Sequence, residues 1–198
     1  ILCREEYGYS PNAPETVVGT ITGKNEEKCC AGHAVLERIS IGFDTPKGAY
    51  SFPMHFFAPV DGRRRPLIVM LNFSPDEYDM YYPAEEIIDN GFALAVINYQ
   101  AVTTDDNDFA NGIAGCYPRD EETGWGKISM WAFAASRAID YLVTRPEVDI
   151  ENIGICGHSR LGKTALWCGA QDERIRFIYS NESGCSGAAY ERVKHEGA

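Results

Sequence analysis

The sequence predicts an α/β fold in three α-β-α layers, with helices on both faces of a mainly parallel sheet, and three observations carry that expectation. Short apolar runs alternate with stretches of helical period through most of the chain. One buried run passes through a tight turn straight into a helix. The length of 198 residues, with 44% hydrophobic content, suffices for one packed core but is short for two. No internal repeat, low-complexity tract or Pro/Ser-rich linker divides the chain, so residues 1–198 read as a single domain.

Residues 1–33 mix Gly, Pro, Asn and charge without clear period, and no element is expected there. Residues 34–43 alternate well enough for a strand. A second strand spans 49–58, where Pro53 would suit a sheet edge. The Asp61-Gly62 turn signal separates it from Leu67-Ile68-Val69-Met70-Leu71, a buried strand. Pro83 opens a helix over 84–90 that Asn90-Gly91 closes, and 92–99 follows as a strand, completing a strand-helix-strand unit. Residues 101–127 carry many acids and glycines and no period. A connection of that length inside a domain is usually functional or mobile, so this one is expected to border a site. Trp131, Ala134, Ala135, Ala138 and Leu142 then share one face of a helix over 128–144, which stops at Arg145-Pro146. A strand over 152–157, a helix over 161–170 and a strand over 175–180 complete the alternation.

Composition narrows the partners. The 18 basic and 29 acidic residues give a net charge of -11, a field that repels nucleic acid and anionic lipid surfaces. The one basic cluster, Arg63-Arg64-Arg65, reads as a solvated turn between strands. No apolar run approaches the roughly 20 residues of a membrane span, so no membrane partner is expected. The seven cysteines are odd in number and lack paired CxxC spacing, which argues against a zinc site or a complete disulfide framework. Cys156 and Cys168 fall in apolar segments, where a thiol behaves as a small buried hydrophobe, and this usage leans towards a reducing compartment. Neither metal nor cofactor is expected.

Chemistry concentrates in Ile153-Gly154-Ile155-Cys156-Gly157-His158-Ser159-Arg160-Leu161-Gly162-Lys163, with Ser159 at the tip of the strand-to-helix turn. In α/β-hydrolases such an elbow lifts a nucleophilic serine above the sheet, and small flanking residues are needed because the turn is crowded. Gly157 meets that need two residues before the serine. Two residues after it stands Leu161, and the small residue comes one later, at Gly162. The blander alternative is that Ser159 merely caps the helix. Against it, Arg160 and Lys163 gather two cations at the open end of a sheet, where ligands of α/β folds bind.

At this point the residues resemble a known family. Gly157-His158-Ser159-Arg160-Leu161-Gly162-Lys163-Thr164-Ala165 is similar to the G-x-S-R-x-G-K-x-A signature of the glucuronoyl esterases, carbohydrate esterase family 15. Ser180-Asn181-Glu182-Ser183-Gly184-Cys185-Ser186-Gly187-Ala188-Ala189 is similar to the family's second block, in which a glutamate just after the next strand is the triad acid. Leu71-Asn72-Phe73, Trp125-Gly126, Trp131 and Ser136-Arg137 agree more loosely with bacterial members. The departure is His158, where fungal members carry a disulfide-bonded cysteine.

The resemblance implies an α/β-hydrolase acting on a carbohydrate ester of the glucuronoxylan type through an acyl-enzyme. It assigns Ser159 as nucleophile and Glu182 as the carboxylate that orients a histidine, and it has the Arg160 guanidinium add charge to the oxyanion hole. Lys163 would contact sugar hydroxyls. Elbow geometry adds the Arg160 backbone N–H as one oxyanion donor and a second near Asn72 and Phe73, in the loop after the third core strand.

A serine needs a base, and the chain offers only His33, His55, His158 and His195. His33 and His55 precede the parallel strands, His158 points away from its neighbour, and His195 comes too soon after Glu182. The catalytic histidine is therefore expected beyond Ala198, with residues 1–198 forming the N-terminal portion of the domain and turning over little ester alone. The net acidity is further expected to help expel an acidic product. Two alternatives stay open: another carbohydrate esterase, such as one acting on acetylated xylan, and a catalytically inactive carbohydrate-binding relative.

Overall fold

The computed structural model describes residues 1–189 except 26, 78–81, 121 and 123. Its centre is a seven-stranded sheet in the order β1-β2-β3-β5-β4-β6-β7. The strands are β1 (Val17–Lys24), β2 (Ala34–Thr45), β3 (Gly48–Pro59), β4 (Arg65–Asn72), β5 (Ala93–Asn98), β6 (Val148–His158) and β7 (Ile175–Asn181). β1, β2 and β3 form an antiparallel meander, with β2 and β3 paired without interruption from Ala34↔Pro59 to Thr45↔Gly48. β5, β4, β6 and β7 run parallel, and β3 joins the two halves by a short antiparallel contact with β5.

The helices are α1 (Ala84–Asp89), α2 (Tyr99–Val102), α3 (Gly112–Cys116), α4 (Lys127–Leu142) and α5 (Arg160–Gln171). Alternation along β4 assigns the layers, because successive side chains of a strand point to opposite faces. Leu67, Val69 and Leu71 join the large core that contains Trp131, Ala134, Ala138 and Leu142 of α4 and Leu161, Ala165 and Cys168 of α5. Ile68 and Met70 join a smaller cluster with Ala84 and Ile88 of α1. The three-layer α/β expectation holds, and every strand and helix read from periodicity falls within a few residues of its place.

Three differences have physical causes. β1 lies in the stretch read as lacking elements: it is an edge strand, largely exposed, whose alternation is broken by Gly19 and Gly23. Gly19 is required there because a Cβ would come 2.4 Å from the Tyr141 ring. Pro53 does not lie on an edge strand, since β3 is central. β5 pairs with β3 only over His55–Phe57, so at Pro53 one side of the strand has no partner to lose a hydrogen bond. The 101–127 connection is not structureless: it holds the end of α2, all of α3 and a knot of side-chain bonds described below. Arg63 and Arg64 are exposed in the turn before β4, as a solvated cluster should be. No helix among the described residues is long and apolar enough to cross a membrane. All seven cysteines lie outside disulfides, Cys168 buried and Cys156 partly buried; burial pushes the Cys156 thiol up to about 12, which keeps it protonated and unreactive.

Candidate active site

β6 ends at His158 and α5 begins at Arg160, so one residue makes the whole turn. Ser159 takes φ 55° and ψ −124°, a conformation that side-chain-bearing residues rarely adopt. Two backbone bonds fix it there: Ser159 N–H donates to the Asn181 carbonyl at 2.8 Å, and Lys163 N–H donates to the Ser159 carbonyl at 3.1 Å. The Ser159 side chain caps no helix N–H, which removes the capping alternative.

The crowding that demands glycine is visible at both flanks. A Cβ on Gly157 would sit 2.3 Å from the Leu161 carbonyl oxygen; one on Gly162 would sit 3.0 Å from the Asn181 oxygen and 3.1 Å from the Gly157 oxygen. Leu161 is tolerated between them because its side chain is fully buried in the core beneath the turn. The displaced small residue is thus explained by where α5 approaches β6 and β7.

The next strand delivers the carboxylate. Glu182 follows β7 directly, also at positive φ (45°), with its neighbour Ser183 buried. Ser159, Arg160, Lys163 and Glu182 together line a cavity of about 590 Å³ at the C-terminal ends of the parallel strands. Arg160, the first residue of α5, has a backbone N–H with no acceptor inside the helix, which suits an oxyanion donor.

Four of the six residues expected at the site therefore meet, and two stand outside the cavity lining. Asn72 is buried and its amide donates to the Ser74 carbonyl at 3.3 Å. The Phe73 ring packs edge-on against Tyr99 and His158. His158 itself contacts the Asn181 amide through Nδ1 at 3.0 Å. His33 contacts Asp89 at 2.8 Å, and His55 faces Glu77 with burial lowering its proton affinity. None of these three bonds to Ser159 or Glu182; His195 lies outside the described residues.

The cavity also holds Glu6 and Tyr7 from the N-terminal segment, Asp105 and Lys127, which the motifs did not reveal, beside Trp131 and Cys185, which fall in segments that resemble the family. Tyr7 is strapped down, its carbonyl accepting from Ser129 Oγ at 2.8 Å and Gly126 N–H at 3.0 Å, its hydroxyl donating to the Ser186 carbonyl. Asp105 forms an ion pair with Arg160. Lys127, nearly buried, donates from Nζ to Thr103 Oγ1 at 2.9 Å and to the Asp108 carbonyl at 2.6 Å. Burial holds its pKa below the ordinary lysine value despite Asp106 and Asp108 nearby. The only advance signal for Asp105 and Lys127 was their place in, or at the end of, the acid-rich connection expected to border a site. Among the described residues no group of three His, Cys, Asp or Glu side chains could hold a metal ion.

A family model described as "Glucuronyl esterase, fungi" matches residues 48–198. The chain belongs to the glucuronoyl esterase family. Among glucuronoyl esterases of known structure, the enzyme from Solibacter usitatus superposes with a TM-score of 0.81 at 28% identity, covering 96% of this chain and 58% of that one. A carbohydrate esterase from an unknown prokaryotic organism is 28% identical over 94% of this chain and 52% of its own length. The 4-O-methyl-glucuronoyl methylesterase of Schizophyllum commune is 28% identical over 95% of this chain and 44% of its own length. The chain thus spans about half the length of the relatives it matches.

Proposed function

We propose that the protein is a serine carboxylic ester hydrolase that cleaves esters of glucuronic or 4-O-methyl-glucuronic acid in xylan-type carbohydrate. The observation that carries this reading is the strained Ser159 elbow sharing one cavity with Arg160, Lys163 and Glu182, in a chain of the glucuronoyl esterase family. Ser159 Oγ attacks the ester carbonyl; negative charge on the carbonyl oxygen is met by the Arg160 N–H and guanidinium, with a second N–H assigned to the Asn72–Phe73 loop. Collapse of the adduct expels the alcohol and leaves an acyl-enzyme, which water hydrolyses to the free uronate. A histidine oriented by Glu182 carries the proton in both halves of the reaction, and Lys163 holds sugar hydroxyls one helical turn from the nucleophile.

The test is hydrolysis of benzyl glucuronate and of acetylated xylan by the full-length protein, with Ser159→Ala as control. Turnover of the glucuronate ester that Ser159→Ala abolishes is expected. Release of acetate alone would replace the uronic ester with an acetyl ester as substrate, and inertness to both would make the protein a binding relative.

A further inference from the structure

We propose that Asp105 is a positioning and discriminating residue of this site: it fixes the Arg160 guanidinium beside Ser159 and occupies that cation's carboxylate-binding face, so that the cavity favours a neutral uronic ester over the free uronate. This rests on the reading of the substrate given above.

The starting point is a chemical asymmetry. The ester substrate is uncharged at its carbonyl, whereas the product is a carboxylate released beside Arg160. A planar guanidinium open to a cleft is a strong, often bidentate, carboxylate ligand. Left bare, Arg160 would hold product more tightly than substrate. Here the Asp105 carboxylate already pairs with Arg160 Nη1. The pair is half open to the cavity, with the Arg160 side chain 49% and the Asp105 side chain 23% exposed, so it adds little to stability and remains within reach of a competing anion.

Asp105 is also held ready. The loop around it is knit by Asn111 Oδ1 accepting from Thr103 Oγ1 and Thr104 N–H, both at 3.0 Å, and by Asp106 Oδ1 accepting from Thr104 Oγ1 at 2.8 Å and Asp108 N–H at 2.9 Å. Lys127 ties the same loop to the first turn of α4, and Trp131 Nε1 donates to the Thr103 carbonyl at 3.1 Å. A carboxylate on so constrained a loop loses little further freedom when it engages Arg160, which makes it an effective competitor for the product's carboxylate. The same contact limits the orientations open to the guanidinium, a requirement of preorganised stabilisation of the charge that develops on the carbonyl oxygen.

The experiment uses the full-length protein in a Ser159→Ala background, where binding is measured without turnover. Calorimetry with sodium glucuronate and with its methyl ester is expected to show Asp105→Asn tightening the acid about tenfold or more while shifting the ester less than threefold. The tightened affinity should fall with added salt, and Asp105→Glu should return it towards the parent value. With Ser159 intact, Asp105→Asn should show the matching fall in the inhibition constant for glucuronate, a several-fold lower kcat and an ester KM close to the parent. Equal changes for acid and ester, no change for the acid, or no glucuronate binding in either variant would overturn the proposal. Tightening of the acid in a protein that turns over no glucuronate ester would leave Asp105 in this role and refute only the hydrolase reading.

Discussion

Two of the arginine–carboxylate contacts in this molecule share their chemistry and differ in everything else. Arg145 joins Glu37 at 2.8 Å beneath the antiparallel strands, with Lys24 reaching the other Glu37 oxygen at 2.9 Å and Glu147 beside the guanidinium. Glu37 has 3% of its side chain exposed and Arg145 15%. Every charge there is met by another, and the cluster ties β1, β2 and the segment after α4 together. Arg160 and Asp105 form a single pair, half open to a cavity that also holds Ser159, Lys163 and Glu182. A closed ionic cluster spends its interactions on the fold; an open one keeps them for a ligand. The same division appears in the backbone: Ser159 and Glu182 adopt positive φ at the site, whereas no residue of β2 or β3 except Gly48 at the hairpin does.

The comparison can be broken by substitutions that should separate activity from stability. Ser159→Ala is expected to have the largest effect, lowering ester turnover of the full-length protein by about 10⁴-fold or more while its thermal midpoint is unchanged or slightly raised. A concurrent collapse in stability would show that the elbow also holds the fold together.

Glu37→Ala should do the reverse, removing about 3 kcal/mol in urea denaturation by leaving the largely buried Arg145 with Glu147 as its remaining carboxylate, with kcat/KM preserved in the folded population. The pH dependence sharpens this. Burial pushes the Glu37 carboxyl up, but its pairing with the Arg145 and Lys24 cations outweighs it and holds the group below its ordinary value. Its stabilising contribution is therefore present above the unfolded-state pKa and is lost as pH falls through the lower folded-state value. The stability gap between wild type and Glu37→Gln should accordingly narrow in acid. A gap constant from neutral pH down to acid unfolding would contradict the closed-cluster picture.

Gly157→Ala touches both regions' concerns, because its Cβ would meet the Leu161 carbonyl oxygen at 2.3 Å and that oxygen belongs to α5 backbone. A loss of about 1–3 kcal/mol together with a large fall in turnover is expected, read from paired melting and kinetic measurements. Arg63→Ala, in the exposed turn before β4, should change neither: stability within about 0.5 kcal/mol and turnover equal to wild type.

How much of this was legible in advance follows the range of the forces involved. Local period reports burial on one face of a strand or helix, so β2 to β7, α1, α4 and α5 could be read from the sequence. β1 could not, because an exposed edge strand with two glycines has no apolar alternation to report. The elbow was legible because a serine between a buried strand and a helix, with Gly157 and Gly162 around it, states a steric requirement in the sequence itself. The placement of Glu182 beside it was legible through a recurring block and the register of one further strand.

The amino-acid sequence by itself thus determined the layered α/β architecture, the sharp turn at Ser159 and the cations that follow it on α5, since each depends on residues within a few positions of one another. Only the tertiary structure decided that Asp105 would face Arg160 across 55 positions of chain, that Lys127 and Tyr7 would brace the same cavity, that Phe73 would turn towards Tyr99 and His158, and that Glu37 would be closed off by Lys24 and Arg145. Those contacts join segments distant in sequence, and a lone Asp, Lys or Glu carries no local pattern that names its partner; packing of the whole chain chooses it.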